Sequence, residues 1–471
     1  MSRRQATGLF VLCLAVLMVA VDGTVVSVAV PSITEQLSPT YNQVLWIGDI
    51  YSFVLAGLLI TMGNVGDRVG RKRLLLISSL AFGAASAAAA LAPTAGTLIV
   101  ARVVQGVAGA GLMPSTLALL RSLFTDDHQR MRAVGVWSAS GAAGAALGPT
   151  VAGVLLEHFY WGSVLLVNLP VVALILAFGA WALPEARSEG AHPLDPLSVV
   201  YSTLGILGVV YGITELAHAG LGVRSAYAAL VVGGGLLLVF LRRQRRLPTP
   251  LLDLGLFAQT RFTAAIVAQL VIVFANIGAL FFLPIFLRQV GGFSPLQSGL
   301  ATLPESIVAL LTAAFTARLI GRWGHRGILL TGMAVGAAGL VLLGLTMPMS
   351  YAAMVFPLML LGFSFGSVVT VASDLVLTSA SADRVGAATG ISETAFELGT
   401  ALGIAITGSA VAVLYLLVTG GSANFSENVD AKGFTWSLGG YCVICGVLLA
   451  VVTVVVARAL RSRANRPVAT R

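Results

Sequence analysis

GNVGDRVGRKRLLL, from Gly63 to Leu76, and ARLIGRWGHRGILL, from Ala317 to Leu330, repeat one spacing in distant parts of the chain. Aligning Gly70 with Gly324 pairs Arg68 with Arg322 and Lys72 with Arg326, while Asp67 faces Gly321, so the second copy lacks the acid. Both copies are short basic stretches between long apolar runs. The repeat divides the chain into two related halves, and the runs around it say what those halves are.

Of 471 residues, 57% are hydrophobic and 10% charged, against roughly 25% charged in a soluble domain. A water-soluble fold is excluded. Apolar runs of about 18 or more residues read as membrane-spanning helices, and fourteen occur: six between residues 8 and 183, two at 197–218 and 226–241, and six between 263 and 457. The expected fold is an all-α polytopic membrane protein with fourteen transmembrane helices, six, two and six. Basic, Pro-containing loops set three parts: an N-terminal six-helix bundle at 1–183, a two-helix insert with its linkers at 184–262, and a C-terminal six-helix bundle with a basic tail at 263–471.

Cytoplasmic segments collect Lys and Arg. With the N-terminus inside, all but four of the 28 Lys and Arg residues (Arg102, Arg224, Arg288 and Lys432) fall in cytoplasmic segments. Both termini are therefore expected in the cytoplasm, and MSRR with the apolar stretch after it reads as a retained first helix, not a signal peptide. The net charge of +9 is accounted for by attraction to the anionic inner leaflet, without nucleic acid. Lys occurs only twice, and Ala and Gly abound, a composition pointing to a GC-rich bacterial genome and thus to a bacterial inner membrane.

No metal or cofactor is expected. Cys442 and Cys445 form a C-x-x-C inside the last apolar run, with no second pair or nearby His, whereas a zinc site wants four ligands. Gly362-Phe363-Ser364-Phe365-Gly366 fits a nucleophile-elbow pattern, but in an apolar helix instead of a strand-to-helix turn. No G-x-x-x-x-G-K-[ST] loop occurs, which leaves an ion gradient as the energy source and a transporter, not an enzyme, as the expectation.

A charged side chain near the centre of a membrane helix costs at least about 2.5–3.5 kcal/mol and marks a functional site by default. VAVDGTVVSVAVP, Val19 to Pro31, carries Asp22 in this way, and Asp49 and Arg102 lie in neighbouring runs. At about 1.5 Å per residue, the three sit about 12, 6 and 8 Å from the outer ends of their helices and can meet. Two readings stand at this point: Asp22 carries a proton and Arg102 biases it, with Asp49 nearby, or Asp22 and Arg102 form a permanent tie between helices. The second half holds acids without an intramembrane Arg: Glu305, Asp374, Glu393 and Glu397. Glu393 and Glu397 share a helix face, and Asp374 is expected within reach of Glu393. With Phe281, Phe282, Phe286 and Phe396 they suit a lipophilic cation, through charge and cation–π contact, or a proton. The plainer reading makes the acids caps and the rings lipid-facing.

Gly63-x-x-x-Asp67-Arg68-x-Gly70-Arg71-Lys72 resembles the second-to-third loop signature of the major facilitator superfamily, its glycines expected to permit a tight turn and its charges to cap helix ends and form breakable ion pairs. Three further stretches resemble the fourteen-span drug:proton antiporter branch, of the quaternary-ammonium and multidrug exporter type. They are the first-span stretch, in which Asp22, Thr24 and Pro31 match; Leu98-x-x-x-Arg102-x-x-Gln105-Gly106; and Gly144-x-x-x-Gly148-Pro149-x-x-Ala152-Gly153, the antiporter signature. Ser27 stands where Asn is usual, and Ala108 and Ala152 where Gly is. Gly141, Gly144 and Gly148 also line one helix face and permit close backbone approach, and Pro149 can bend the helix. The resemblance implies a monomeric, proton-driven exporter of lipophilic, cationic drugs or dyes working by alternating access. A dedicated exporter of one antibiotic, metabolite or amino acid, and a non-transporting sensor or lipid-processing enzyme, are the alternatives.

Overall fold

The computed structural model describes residues 1–39, 41–187, 195–219, 223–247, 250–293, 295–381, 384–419 and 430–462. In apolar surroundings a backbone must satisfy its own N–H and C=O groups, and a helix does so within one segment. Every regular element among the described residues is accordingly helical: α1 (Arg3–Leu37), α2 (Tyr41–Val69), α3 (Arg71–Ala90), α4 (Ala95–Leu123), α5 (Asp127–His158), α6 (Ser163–Leu166), α7 (Asn168–Ala182), α8 (Pro196–Ala219), α9 (Arg224–Gln244), α10 (Thr260–Gln289), α11 (Pro295–Leu300), α12 (Leu303–Thr346), α13 (Tyr351–Ser379), α14 (Val385–Thr419) and α15 (Ala431–Ser462), with a 3-10 turn at Leu256–Ala258. Thirteen helices among the described residues are long and apolar enough to cross a membrane. One of these, Gln297–Thr346, covers 50 residues, and α12 within it is broken at Gly324 (φ 68°, ψ 163°).

Gly324 and its repeat partner Gly70 (φ 110°) both take a positive φ, which glycine adopts without steric cost. Gly63 does not serve the turn, contrary to the expectation for the glycines of this stretch. It lies inside α2, where a Cβ would run into the Gly386 carbonyl oxygen, so its bare backbone lets α14 approach.

The chain divides into two compact units: Met1–Gly208, Val232–Leu254 and Ala380–Thr394 form the first; Val209–Val231, Gly255–Ser379 and Ala395–Arg471 form the second. In the first, the glycine face of α5 meets α1: a Cβ at Gly144 would lie 2.7 Å from the Leu17 carbonyl oxygen, and one at Gly148 would collide with the Thr24 hydroxyl. Pro149 lies within α5 just beyond this contact. Gly153, the last glycine of the signature, faces open space. In the second unit, Gly362 and Gly366 press α13 against the backbone carbonyls of Glu305 and Ala309 on α12. The elbow-like stretch is thus a helix-packing face.

These contacts separate two substitutions of the same size. Gly144→Ala must push α5 off the α1 backbone and lowers stability by about 1–3 kcal/mol, the range for overpacking. Gly153→Ala meets nothing. Thermal unfolding of the purified variants in detergent should show a lower midpoint for the first alone; equal midpoints would contradict this account of the α1–α5 contact.

Candidate functional site

The first unit holds a buried polar network assembled from five helices. Asp22 on α1, Ser86 on α3, Arg102 and Gln105 on α4, and Asn168 at the start of α7 are all at most 1% exposed. Arg102 Nη1 donates to Asp22 Oδ2 at 2.6 Å and to Gln105 Oε1 at 3.1 Å. The other carboxylate oxygen, Oδ1, accepts from Asn168 Nδ2 at 2.8 Å and Gln105 Nε2 at 3.2 Å. Ser86 Oγ accepts from both amides, at 2.7 Å from Gln105 and 3.1 Å from Asn168. Tyr51 of α2 stacks under the guanidinium, 4.5 Å from Cζ to the ring centroid, a cation–π contact.

Local sequence explains the convergence. Residues 102 and 105 lie one turn apart and share a face of α4. Gly106 and Gly109 let α2 close in: a Cβ at Gly106 would lie 2.7 Å from the Tyr51 carbonyl oxygen, and one at Gly109 3.2 Å from its hydroxyl. Ion pairing across α1 and α4 was legible from the isolated charges. Ser86, Asn168 and Tyr51 were not, because uncharged polar groups carry no comparable cost signal; Asn168, set in the apolar run before Pro170, was the best available hint. The Asp49 side chain lies outside the described residues.

The second unit carries a related arrangement with different charges. The 254-position shift that superposes Gly70 on Gly324 also takes Asp22 to Asn276 and Tyr51 to Glu305. Asn276 Nδ2 donates to Glu305 Oε1 at 3.1 Å, and Ser306 Oγ to Oε2 at 3.2 Å. Gly362 packs on the Glu305 carbonyl as Gly106 packs on that of Tyr51. Asp374 is buried and shares a hydrogen bond with His325 Nε2 at 2.9 Å, a partner not foreseen; Glu393 is buried as well. Glu397 is half-buried. Phe286 is buried against Phe434, Phe396 meets Phe365, and Phe281 is exposed beside Phe282.

A clasp in the first unit uses the basic stretch. Asp67 Oδ1 accepts from Arg71 Nε and Nη2 at 3.0 and 2.8 Å and from the Gly386 amide at 3.0 Å; Oδ2 accepts from the Ala387 amide at 3.1 Å. A helix leaves its first N–H groups unpaired and prefers a short acceptor side chain at its cap. Arg384 stands at that position of α14, so Asp67 supplies the missing acceptor from α2. Arg121 donates to the Ala380 carbonyl and Thr389 Oγ1 to Pro114 O at 3.3 Å, holding the same helix end to α4. Lys72 Nζ donates to the Ala180 carbonyl in the last turn of α7, a favourable place for a cation. Arg68 follows Asp67 in the last turn of α2.

The Major Facilitator Superfamily model matches residues 12–404. The chain is 41% identical over 415 residues to the multidrug efflux pump LfrA of Mycolicibacterium smegmatis, covering 88% of this chain and 82% of that protein. It is 36% identical to the methyl viologen resistance protein SmvA of Salmonella typhimurium, covering 86% and 82%, and 32% identical to the tetracenomycin C resistance and export protein of Streptomyces glaucescens, covering 85% and 74%. The fold is similar to the crystal structure of the human organic anion transporter MFSD10 (TM-score 0.67, 15% identity, 95% of this chain and all of that one). The matched family and the efflux and export relatives place the chain in the class of transporters. This chain belongs to the Major Facilitator Superfamily.

Removing one member of a buried pair leaves the other charge uncompensated, at a cost of about 3–5 kcal/mol. Asp22→Ala should therefore lower the unfolding midpoint sharply. Adding Arg102→Leu should recover most of the loss; a double variant as unstable as the sum of the singles would show that the two residues do not act as a pair.

Proposed function

We propose that this chain is a proton-coupled exporter of lipophilic, cationic drugs and dyes, working by alternating access as a monomer in a bacterial cytoplasmic membrane. The multidrug efflux pump and the methyl viologen resistance protein among its relatives support the substrate class, and the excess of Lys and Arg in one set of loops supports cytoplasmic termini. The break at Gly324 supports reading the long apolar segment as two spans, in keeping with the fourteen spans, six, two and six, of the drug:proton antiporter branch. No bound cofactor enters the cycle; the proton gradient supplies the energy.

The Asp22–Arg102 pair carries this reading. Protonating Asp22 cancels the attraction between α1 and α4 and leaves the guanidinium with the Gln105 amide oxygen and the Tyr51 ring. A proton taken up or lost there changes which packing of α1 against α4 is preferred, and that difference between two states is what couples a gradient to a conformational cycle. Glu305, Asp374, Glu393 and Glu397 supply negative charge for a cationic substrate or a further proton. Asp67 and its basic neighbours, with the α5 glycines, form the parts that open and close.

In everted vesicles with an imposed pH gradient, the protein should accumulate ethidium and methyl viologen, and nigericin should stop this. Asp22→Asn should reduce gradient-driven transport at least about tenfold, the effect of removing one essential proton-transfer group, while the protein elutes as a folded species. Wild-type transport rates in Asp22→Asn would remove this residue from the mechanism. Transport of neither cation, with export of a single antibiotic, would favour the dedicated-exporter reading supported by the tetracenomycin C relative.

A further inference from the structure

The two-helix insert does more than add apolar bulk, because its cytoplasmic end is tied by polar contacts. Asp195 precedes α8 and accepts from Ser198 Oγ at 2.6 Å. Arg243, in the last turn of α9, grips the same carboxylate with two hydrogen bonds, Nε to Oδ2 at 2.6 Å and Nη2 to Oδ1 at 3.0 Å. Those hydrogen bonds hold the Asp195 carboxyl well below the usual carboxylate range, so the bolt between the two helices stays charged at neutral pH.

From this bolt a chain of hydrogen bonds runs to the clasp. Gln244 is buried. Its amide nitrogen donates to Ser198 Oγ at 2.7 Å, and its oxygen accepts the backbone amides of Leu251 and Leu252 at 2.7 and 3.2 Å. Leu251 and Leu252 are themselves buried. The Leu251 carbonyl accepts from Asn64 Nδ2 of α2 at 2.9 Å, and Asn64 lies three residues from Asp67. One step further, Asp253 accepts from Arg384 Nη1, the residue at the cap of α14.

That last pair answers an electrostatic problem. The N-terminus of a helix carries positive partial charge and disfavours a cation, yet Arg384 stands there with Arg71 and Arg121 nearby. Asp67 neutralises Arg71 and caps the amides, and Asp253 neutralises Arg384. Asp253 thus offsets part of the charge that Arg384 brings to this helix end.

We propose that Leu251–Asp253, the linker leaving the two-helix insert, is a strap of the cytoplasmic clasp, with Asp253 and Asn64 as positioning residues that hold the α14 N-terminus against α2. The insert thereby governs how readily that helix end leaves its cradle. This rests on the transport reading for its purpose, but the strap is measured independently of transport.

The measurement is maleimide labelling of Ser392→Cys, a buried position on α14, in everted vesicles and a background in which Cys13, Cys442 and Cys445 are replaced by alanine. Asp253→Asn should raise the labelling rate about two- to five-fold, the range for a partly exposed ion pair. The charge-swapped double variant Asp253→Arg/Arg384→Asp should return it to the parental rate, which a merely structural defect would not allow. Unchanged labelling in Asp253→Asn, where Asp67→Asn labels faster, overturns the strap. So does a swap that stays fast. Should Asp253→Asn fail to accumulate, the Asp253→Cys/Arg384→Cys pair decides: cross-linking must block ethidium transport reversibly, and undiminished transport after full cross-linking overturns the proposal. A parent protein that never transports ethidium fails the transport reading instead, and leaves the labelling result to stand.

Discussion

A carboxylate and a guanidinium removed from water keep their charges only where each neutralises the other and the remaining donors and acceptors find partners. Asp22 and Arg102 meet most of that demand by drawing five helices to one point, with Arg102 Nε the one buried atom of the pair left without a hydrogen-bond partner among the described residues. Gln105 and Asn168 fill the second carboxylate oxygen, Ser86 accepts from both amides, and Tyr51 covers the guanidinium. Each contact fixes a helix to within hydrogen-bond tolerance of the next. The arrangement is stable for a stated charge state, and it has a different optimum when that state changes.

Such convergence needs helices that come closer than ordinary side chains permit. Glycines provide it at each crossing: Gly106 over Tyr51, Gly144 over Leu17, Gly63 against Gly386, and Gly362 over Glu305. In the bilayer this close approach substitutes for the hydrophobic drive that association of helices has in water. The two repeats keep the backbone device and change the charges placed on it. Where the first half has Asp22 beside Arg102 above Tyr51, the second has Asn276 donating to Glu305, an acid moved from the first helix of the pattern to the second and left without an arginine.

Much of this was readable from sequence because its cause is local or costly. Long apolar runs must be helices, and an isolated Asp22 and Arg102 had to find partners. Gly70 was expected to permit a tight turn, and it takes a positive φ there. Other features depended on contacts between residues far apart in the chain. Gly63 looked like part of a turn, since a glycine that admits another backbone has the same sequence appearance as one that bends its own. Asp374 pairs with His325, a contact across helices that follows from packing depth, which periodicity does not supply. Asn64 and Gln244 were invisible for the same reason as Asn168: an uncharged amide carries no mark of the group it will reach.

The acid in the first copy of the repeat also has a physical use. Asp67 is retained in the first copy because α14 begins at Arg384 without a cap of its own, so an acceptor must come from another helix. The fifth helix of the first half, α5, begins differently: Asp126 accepts from the Gln129 amide at 2.8 Å and caps the helix within its own segment. The self-capped helix end needs no acceptor from elsewhere, whereas the start of α14 depends on α2 for its cap. The insert's linker makes its contact at that same borrowed cap, where Asp253 accepts from Arg384.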